Sequence, residues 1–176
     1  MGHHYRDFIR ERKFIMVSGG FAPIHVGHVR MIQAAAQQCD GVYVVINSDE
    51  WLLEKKGYAF MPWEERAEII RSIKGVMDVL PVDDSDGTVC EVIKRVKPDY
   101  FANGGDRTSD NTPEIALCEE LGIQMLWNVG GGKVQSSSDL VAAANNASED
   151  LAPELLERSV KDVDVFDYDF PNISDT

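Results

Sequence analysis

The sequence predicts an α/β fold: a parallel sheet of about five strands with helices on both faces. Three observations lead to it. Short apolar runs, several rich in β-branched residues, alternate with segments of helical periodicity. Glycine, proline and small polar residues bound the runs, the punctuation of turns. The segments between successive runs are long enough to carry a helix back across the sheet, which makes the strands parallel rather than hairpin-linked.

The elements follow in order. Residues 14–17 form a buried strand that ends at Ser18-Gly19-Gly20. Residues 26–38 form a helix, with Val29, Ile32, Ala35 and Ala36 on one face. Residues 42–46 are the second strand. Pro62 opens a helix over residues 63–73, because the first helical turn does not need its missing N–H. Residues 76–82 are the third strand, and residues 88–96 a helix stopped by Lys97-Pro98. Residues 99–102 are the fourth strand, leading into Asn103-Gly104-Gly105-Asp106. Residues 113–121 form a helix closed by Gly122. Residues 123–127 are the fifth strand, followed by a Gly130-Gly131-Gly132 loop and by Ser136-Ser137-Ser138 before an apolar stretch. This is a Rossmann-like doubly wound sheet, and such sheets hold ligands beyond the carboxyl ends of their strands. The expected organisation is an arm over 1–12, the domain over 13–146, and an acidic tail over 147–176, partly helical or disordered. Within that tail, residues 153–163 are a candidate helix.

Bulk composition bounds the function. The chain has 176 residues, with 44% hydrophobic and 27% charged, enough for one core. No apolar run approaches the ~20 residues of a membrane span. The polar N-terminal stretch lacks the apolar segment of a secretion signal. Cys39, Cys90 and Cys118 are scattered and form no CxxC pair, so free thiols in a reducing cytoplasm are expected. The net charge of −13 argues against nucleic-acid and anionic-membrane partners. It does not exclude a nucleotide, whose phosphates need only a few local donors.

The most informative segment runs from Ser18 through Gly19, Gly20, Phe21, Ala22, Pro23, Ile24, His25, Val26 and Gly27 to His28. It follows the first strand and opens the first helix. Glycines let backbone approach a ligand closely, and a helix N-terminus offers free N–H groups and partial positive charge to phosphate. Two imidazoles separated by two residues can donate to a phosphate whose charge grows in the transition state. A zinc site would require more ligands, and no Cys/His cluster accompanies the pair.

His25-Val26-Gly27-His28 in this strand–turn–helix context resembles the HxGH, or HIGH-type, signature of the cytidylyltransferase-like nucleotidylyltransferase family. The motifs are most similar to the ADP-heptose synthase adenylyltransferase domain and to glycerol-3-phosphate cytidylyltransferase. Four further segments appear in the family's order. Asn47-Ser48-Asp49-Glu50 resembles a turn followed by a phosphate-binding lysine, which is Lys56 here, with Lys55 as competitor. The alternative is a solvated lysine pair. Glu64-Glu65-Arg66 resembles a helix start whose arginine clamps the acceptor, and a helix-surface arginine is the alternative. The resemblance thus implies Asn47, Asp49 and Arg66 as acceptor-binding residues. Asn103-Gly104-Gly105-Asp106 is similar to the Lys-Gly-Gly-Asp of ADP-heptose synthase, implying Gly105 and Asp106 near the nucleotide or Mg²⁺; a plain tight turn competes. Lys133 and Ser136-Ser137-Ser138 resemble the late phosphate-binding signature. Asn103 stands where those relatives carry lysine, and Ala22 where many carry aspartate.

The resemblance implies transfer of a nucleoside monophosphate from ATP or CTP, with ATP favoured, to a sugar- or polyol-phosphate. Pyrophosphate is released by in-line attack on the α-phosphorus, with His25, His28 and Lys56 catalytic. The nucleotide contacts are Gly19, Gly20, Phe21, Gly27, Gly105, Asp106, Lys133 and Ser136 to Ser138. Mg²⁺ accompanies the nucleotide, no protein metal ligand is assigned, and a homodimer is expected. Three alternatives stay open. One is a cytidylyltransferase for glycerol- or choline-type phosphates. Another is an adenylyltransferase of pantetheine phosphate or nicotinamide mononucleotide. The third is a non-catalytic nucleotide-binding module.

Overall fold

The structure is a computed structural model that describes residues 11–103, 113–132 and 135–155. Five strands, β1 (Phe14–Gly19), β2 (Gly41–Ile46), β3 (Val76–Pro81), β4 (Tyr100–Ala102) and β5 (Gln124–Leu126), form one sheet in the order β3-β2-β1-β4-β5. All four pairings are parallel. The helices are α1 (Val26–Ala36), α2 (Asp49–Lys56), α3 (Trp63–Arg71), α4 (Cys90–Val96), α5 (Pro113–Leu121) and α6 (Ser137–Leu155). The chain divides between Leu140 and Val141 into two compact units. Sheet and cleft belong to the first, and α6 continues beyond residue 147. Of the tail helix expected over 153–163, residues 156–163 lie outside the described residues.

The central strands are buried on both faces, which is why they read as unbroken apolar runs. Ile15 and Val17 of β1 pack with Val42 and Val44 of β2 against Ile32 of α1 and Ala67 and Ile70 of α3. Met16 and Val45 point the other way, onto Val92 and Ile93 of α4 and Leu117 and Cys118 of α5. The period of two thus sorts one strand's residues into two cores.

Two local details differ from expectation. Pro62 is the N-cap of α3 with extended backbone, one residue before the helix begins. The donor it lacks is therefore not at issue, and Asp49 Oδ2 accepts from the Trp63 N–H at 3.1 Å. The turn after β2 becomes a helix, α2, which the sequence pattern did not announce. Ser48 caps its start, its Oγ accepting from Trp51 N at 3.0 Å. Gly57 closes it with φ of 77°, a left-handed conformation that costs glycine little.

Strand order reverses where β1 adjoins β4. The β1–α1 turn and the end of β4 therefore face one crevice, the usual ligand position in such sheets.

Candidate active site

The site begins with how α1 is capped. His25 is the N-cap, and its Nδ1 accepts from the Gly27 N–H at 3.1 Å. His28, three residues on, accepts at its own Nδ1 from the His25 N–H at 3.3 Å. This is a reciprocal capping box made of imidazoles instead of the usual hydroxyl and carboxylate. A ring nitrogen that accepts carries no proton, so each neutral ring carries its proton on Nε2. The two rings stack, centroids 3.7 Å apart and 20° from parallel. Phe21 braces His28 edge-on at 4.9 Å. Burial first, then the neighbouring His25 and Lys56, lowers the His28 pKa from 6.5 to about 3. Near pH 7 His28 is therefore a neutral donor.

Lys56 ends α2 and reaches across to the turn, its Nζ donating to the Ala22 carbonyl at 3.4 Å. Burial and then Arg66 hold its pKa below the ordinary lysine value. Lys55 is exposed on the same helix and does not line the cleft. Ala22 is fully buried, so a methyl occupies the position where the resemblance implies aspartate.

The first turn of α6 closes the site. Ser137 Oγ donates to the Pro23 carbonyl at 2.8 Å, fastening this helix start to the phosphate turn. Ser136 Oγ accepts from Asp139 N at 3.1 Å and caps the helix.

These pieces surround one cleft of about 360 Å³. Of the expected residues, His25, His28, Lys56, Gly19, Gly20, Phe21, Gly27, Ser136, Ser137 and Ser138 all line it. Gly105, Asp106 and Lys133 lie outside the described residues.

The expected acceptor-binding trio is placed elsewhere. Arg66 is fully buried. Its Nε donates to the Met61 carbonyl at 3.0 Å, and its Nη1 to the carbonyls of Gly20 at 2.6 Å and Asn47 at 3.0 Å. Its Nη2 pairs with the Asp49 carboxylate. Four bonds inside the protein leave no guanidinium face for an acceptor. Asn47 is also buried, and its Nδ2 donates to Asp84 Oδ2 at 2.9 Å. None of the three lines the cleft. Their bonds tie the ends of β1 and β2 to the start of α3.

Sequence reasoning missed several residues. Asp84 accepts from Asn47, from the Ser48 backbone and from Ser48 Oγ, and its signal was an acidic turn after β3. Trp51 lines the cleft, and its indole N–H is buried without a partner among the described residues. Asn103 and the Gly130–Gly132 loop also line it. In the sequence Asn103 stands out only as the residue in the place of a lysine.

A glycine-walled turn with two imidazole donors, at the switch point of a parallel doubly wound sheet, defines a phosphate- and nucleotide-binding α/β protein. Comparison with known proteins narrows the class. Residues 16–140 match the family described as cytidylyltransferase-like, and the chain belongs to that family. The FAD synthase of Pyrococcus horikoshii is 35% identical over 113 residues, covering 63% of this chain and 71% of its own length. The bifunctional protein HldE of Gluconobacter oxydans is 36% identical over 144 residues, covering 77% of this chain but 28% of its own length. A FAD synthase of Pyrococcus abyssi is 35% identical over 97 residues, covering 54% of this chain and 65% of its own length. Among solved structures, a lipopolysaccharide core biosynthesis protein of Thermoplasma volcanium has a TM-score of 0.57 at 21% identity. It covers 66% of this chain and 94% of that one, and it bears on the fold alone. No described helix is long and apolar enough to cross a membrane.

Proposed function

We propose that the enzyme joins the nucleoside monophosphate of ATP or CTP, with ATP favoured, to the phosphate of a small acceptor. A sugar- or polyol-phosphate is one acceptor class. The FAD synthase relatives add flavin mononucleotide, because FAD is an adenylate joined through pyrophosphate to that phosphate ester. The same product chemistry supports ATP. The observation that carries the reading is the stacked His25–His28 pair at the start of α1, each ring held by the bond its Nδ1 accepts in the helix cap.

An acceptor phosphate oxygen attacks the α-phosphorus. The new P–O bond forms as the bond to the β-phosphate oxygen breaks, and pyrophosphate leaves with that electron pair. His25 and His28 donate to the phosphoryl oxygens whose charge grows. Lys56 and the start of α6 hold the leaving group. Little covalent help is needed, because positioning and charge neutralisation lower the barrier.

Among the described residues no group of three or more His, Cys, Asp or Glu is placed to hold a metal. The described cleft wall also carries no carboxylate. Lys56 and the start of α6 would hold the phosphates of a nucleotide that brings Mg²⁺ with it, and the ion would supply charge neutralisation there.

The test is a pyrophosphate-release screen of ATP and CTP against heptose-, glycerol- and choline-phosphates and flavin mononucleotide. Release with ATP and one of these acceptors is expected. Nucleotide binding without release across the whole grid would replace this reading with a non-catalytic nucleotide-binding module.

A further inference from the structure

The cleft has two unlike halves. On the β2 side stands Lys56, and the helix starts of α1 and α6 face the centre. That half attracts phosphate. On the β4–β5 side the described wall is uncharged and largely backbone: Val129, Gly130 and Gly131 beside Asn103.

Asn103 follows β4 directly. Its N–H donates to the Leu126 carbonyl at 2.9 Å, and its carbonyl accepts from Val129 N at 3.2 Å. The backbone is thus tied to the strand end and loop that flank it. The residue is only 7% exposed, yet its side-chain amide makes no hydrogen bond to any described residue. Its amide atoms remain reachable from the cleft, because among the described residues only Trp51 Nε1 is a sealed side-chain polar atom without a partner. A nearly buried amide without a partner is uncommon, because such groups are normally satisfied.

The loop beside it is pressed close. A Cβ on Gly130 would come within 2.7 Å of the Met31 backbone of α1, and Gly130 and Gly131 both adopt left-handed conformations, with φ of 90° and 83°. The result is a slot walled by this loop, with one amide at its strand end.

We propose that this slot takes the nucleotide's base, and that Asn103 is the residue that reads it. The proposal rests on the nucleotidyl-transfer reading. A carboxamide offers a donor and an acceptor side by side. Adenine and cytosine each present an amino group beside an unprotonated ring nitrogen, the complementary pair for a bidentate contact. The triphosphate then runs from the slot toward the histidines and Lys56. The base amino group donates to Asn103 Oδ1, and the ring nitrogen accepts from Nδ2.

The experiment is a chemical double-mutant cycle on the full chain, read by calorimetric binding and independently by pyrophosphate release. Whichever of ATP or CTP binds more tightly is compared with its counterpart lacking the base amino group, in wild type, Asn103→Ala and Asn103→Leu. Wild type should favour the amino-bearing nucleotide by roughly tenfold or more, the scale of one good bidentate contact. That ratio should fall to about one in both variants, because a site built to bond a polar group discriminates only through that bond. The leucine variant keeps the branched shape of the asparagine side chain and covers the case in which alanine destabilises the strand end. A ratio that persists in the folded variants, or that is absent in wild type, overturns the proposal. Loss of the ratio without pyrophosphate release from any acceptor would leave the base slot standing and remove the catalytic reading. Release with an unchanged ratio would do the reverse.

Discussion

His25 and His28 owe their chemistry to a backbone requirement. The first N–H groups of α1 need acceptors, and the two Nδ1 atoms supply them. The same bonds place each remaining proton on Nε2, so helix capping and donor geometry come from one constraint. His28→Ala should therefore cut the pyrophosphate-release rate by ~10²-fold or more, the scale for losing one oxyanion-type donor. Near-wild-type turnover would remove His28 from the mechanism. The pH dependence of stability has a definite sign. The folded His28 pKa of about 3 lies below its ordinary 6.5. Between those values the unfolded chain binds more protons, so stability rises with pH. The contribution is complete above 6.5 and is lost as pH falls toward 3. Melting temperature followed across the upper part of that window should climb less steeply in His28→Gln than in wild type; parallel curves would show that His28 is not held neutral. Lys56 and Lys55 offer a matched pair, one facing the cleft and one exposed. Lys56→Ala should lower kcat/KM for the nucleotide by ~10²-fold, while Lys55→Ala leaves it within about twofold. Equal effects of the two substitutions would contradict the assignment.

At the scale of elements, α2 and α3 are joined by the Arg66–Asp49 pair, and both are hung from the ends of β1 and β2. Arg66→Met would leave the Asp49 charge and the Gly20 and Asn47 carbonyls without their partner. The Asp49 side chain is 32% exposed and keeps its bond from the Trp63 N–H, so the cost is that of the unsatisfied buried carbonyls, and denaturant unfolding should show a loss of ~1–3 kcal/mol. A loss below about 1 kcal/mol would place Arg66 back among ligand-facing residues, since exposed pairs contribute only that much. This element also marks where the sequence stopped being legible. All five strands and the helices α1, α3, α4 and α5 were readable, because strand runs and helix faces repeat with fixed periods. The residues of α2 show no such period: Leu52 is buried while Leu53 beside it is exposed, and caps at Ser48 and Gly57 define the helix instead. The HxGH turn and the serines could be placed because they are contiguous. The burial of Arg66 was not legible, because nothing local says whether an arginine on a helix start turns outward to solvent or inward to carbonyls 46 and 19 residues away. Asn103 was legible as a residue, but that its side chain has no partner among the described residues depends on the surrounding fold.

Across the whole molecule, charge and site are separated. The chain carries a net charge of −13, yet the described cleft wall holds no carboxylate and presents Lys56, two imidazole donors and a helix start. A triphosphate is repelled by the periphery and attracted over a few ångströms by the cleft. Salt acts on these two terms unequally. At physiological ionic strength the screening length is about 8 Å, which weakens the repulsion between exposed charges much more than short contacts in a partly buried cleft. Nucleotide affinity should therefore hold steady or rise between low and physiological salt, opposite to the steep fall of proteins that bind phosphate through an exposed basic surface. Thermal melting reads this directly. A nucleotide at a hundred times its Kd stabilises the folded state by about 2.7 kcal/mol. For a chain of this size that corresponds to a rise of roughly 5–10 °C in Tm. At fixed ATP concentration the rise should be no smaller in physiological salt than in dilute buffer. If it instead collapses with salt, the attraction resides in exposed charge, and the cleft centred on His25 and His28 is not where the triphosphate binds.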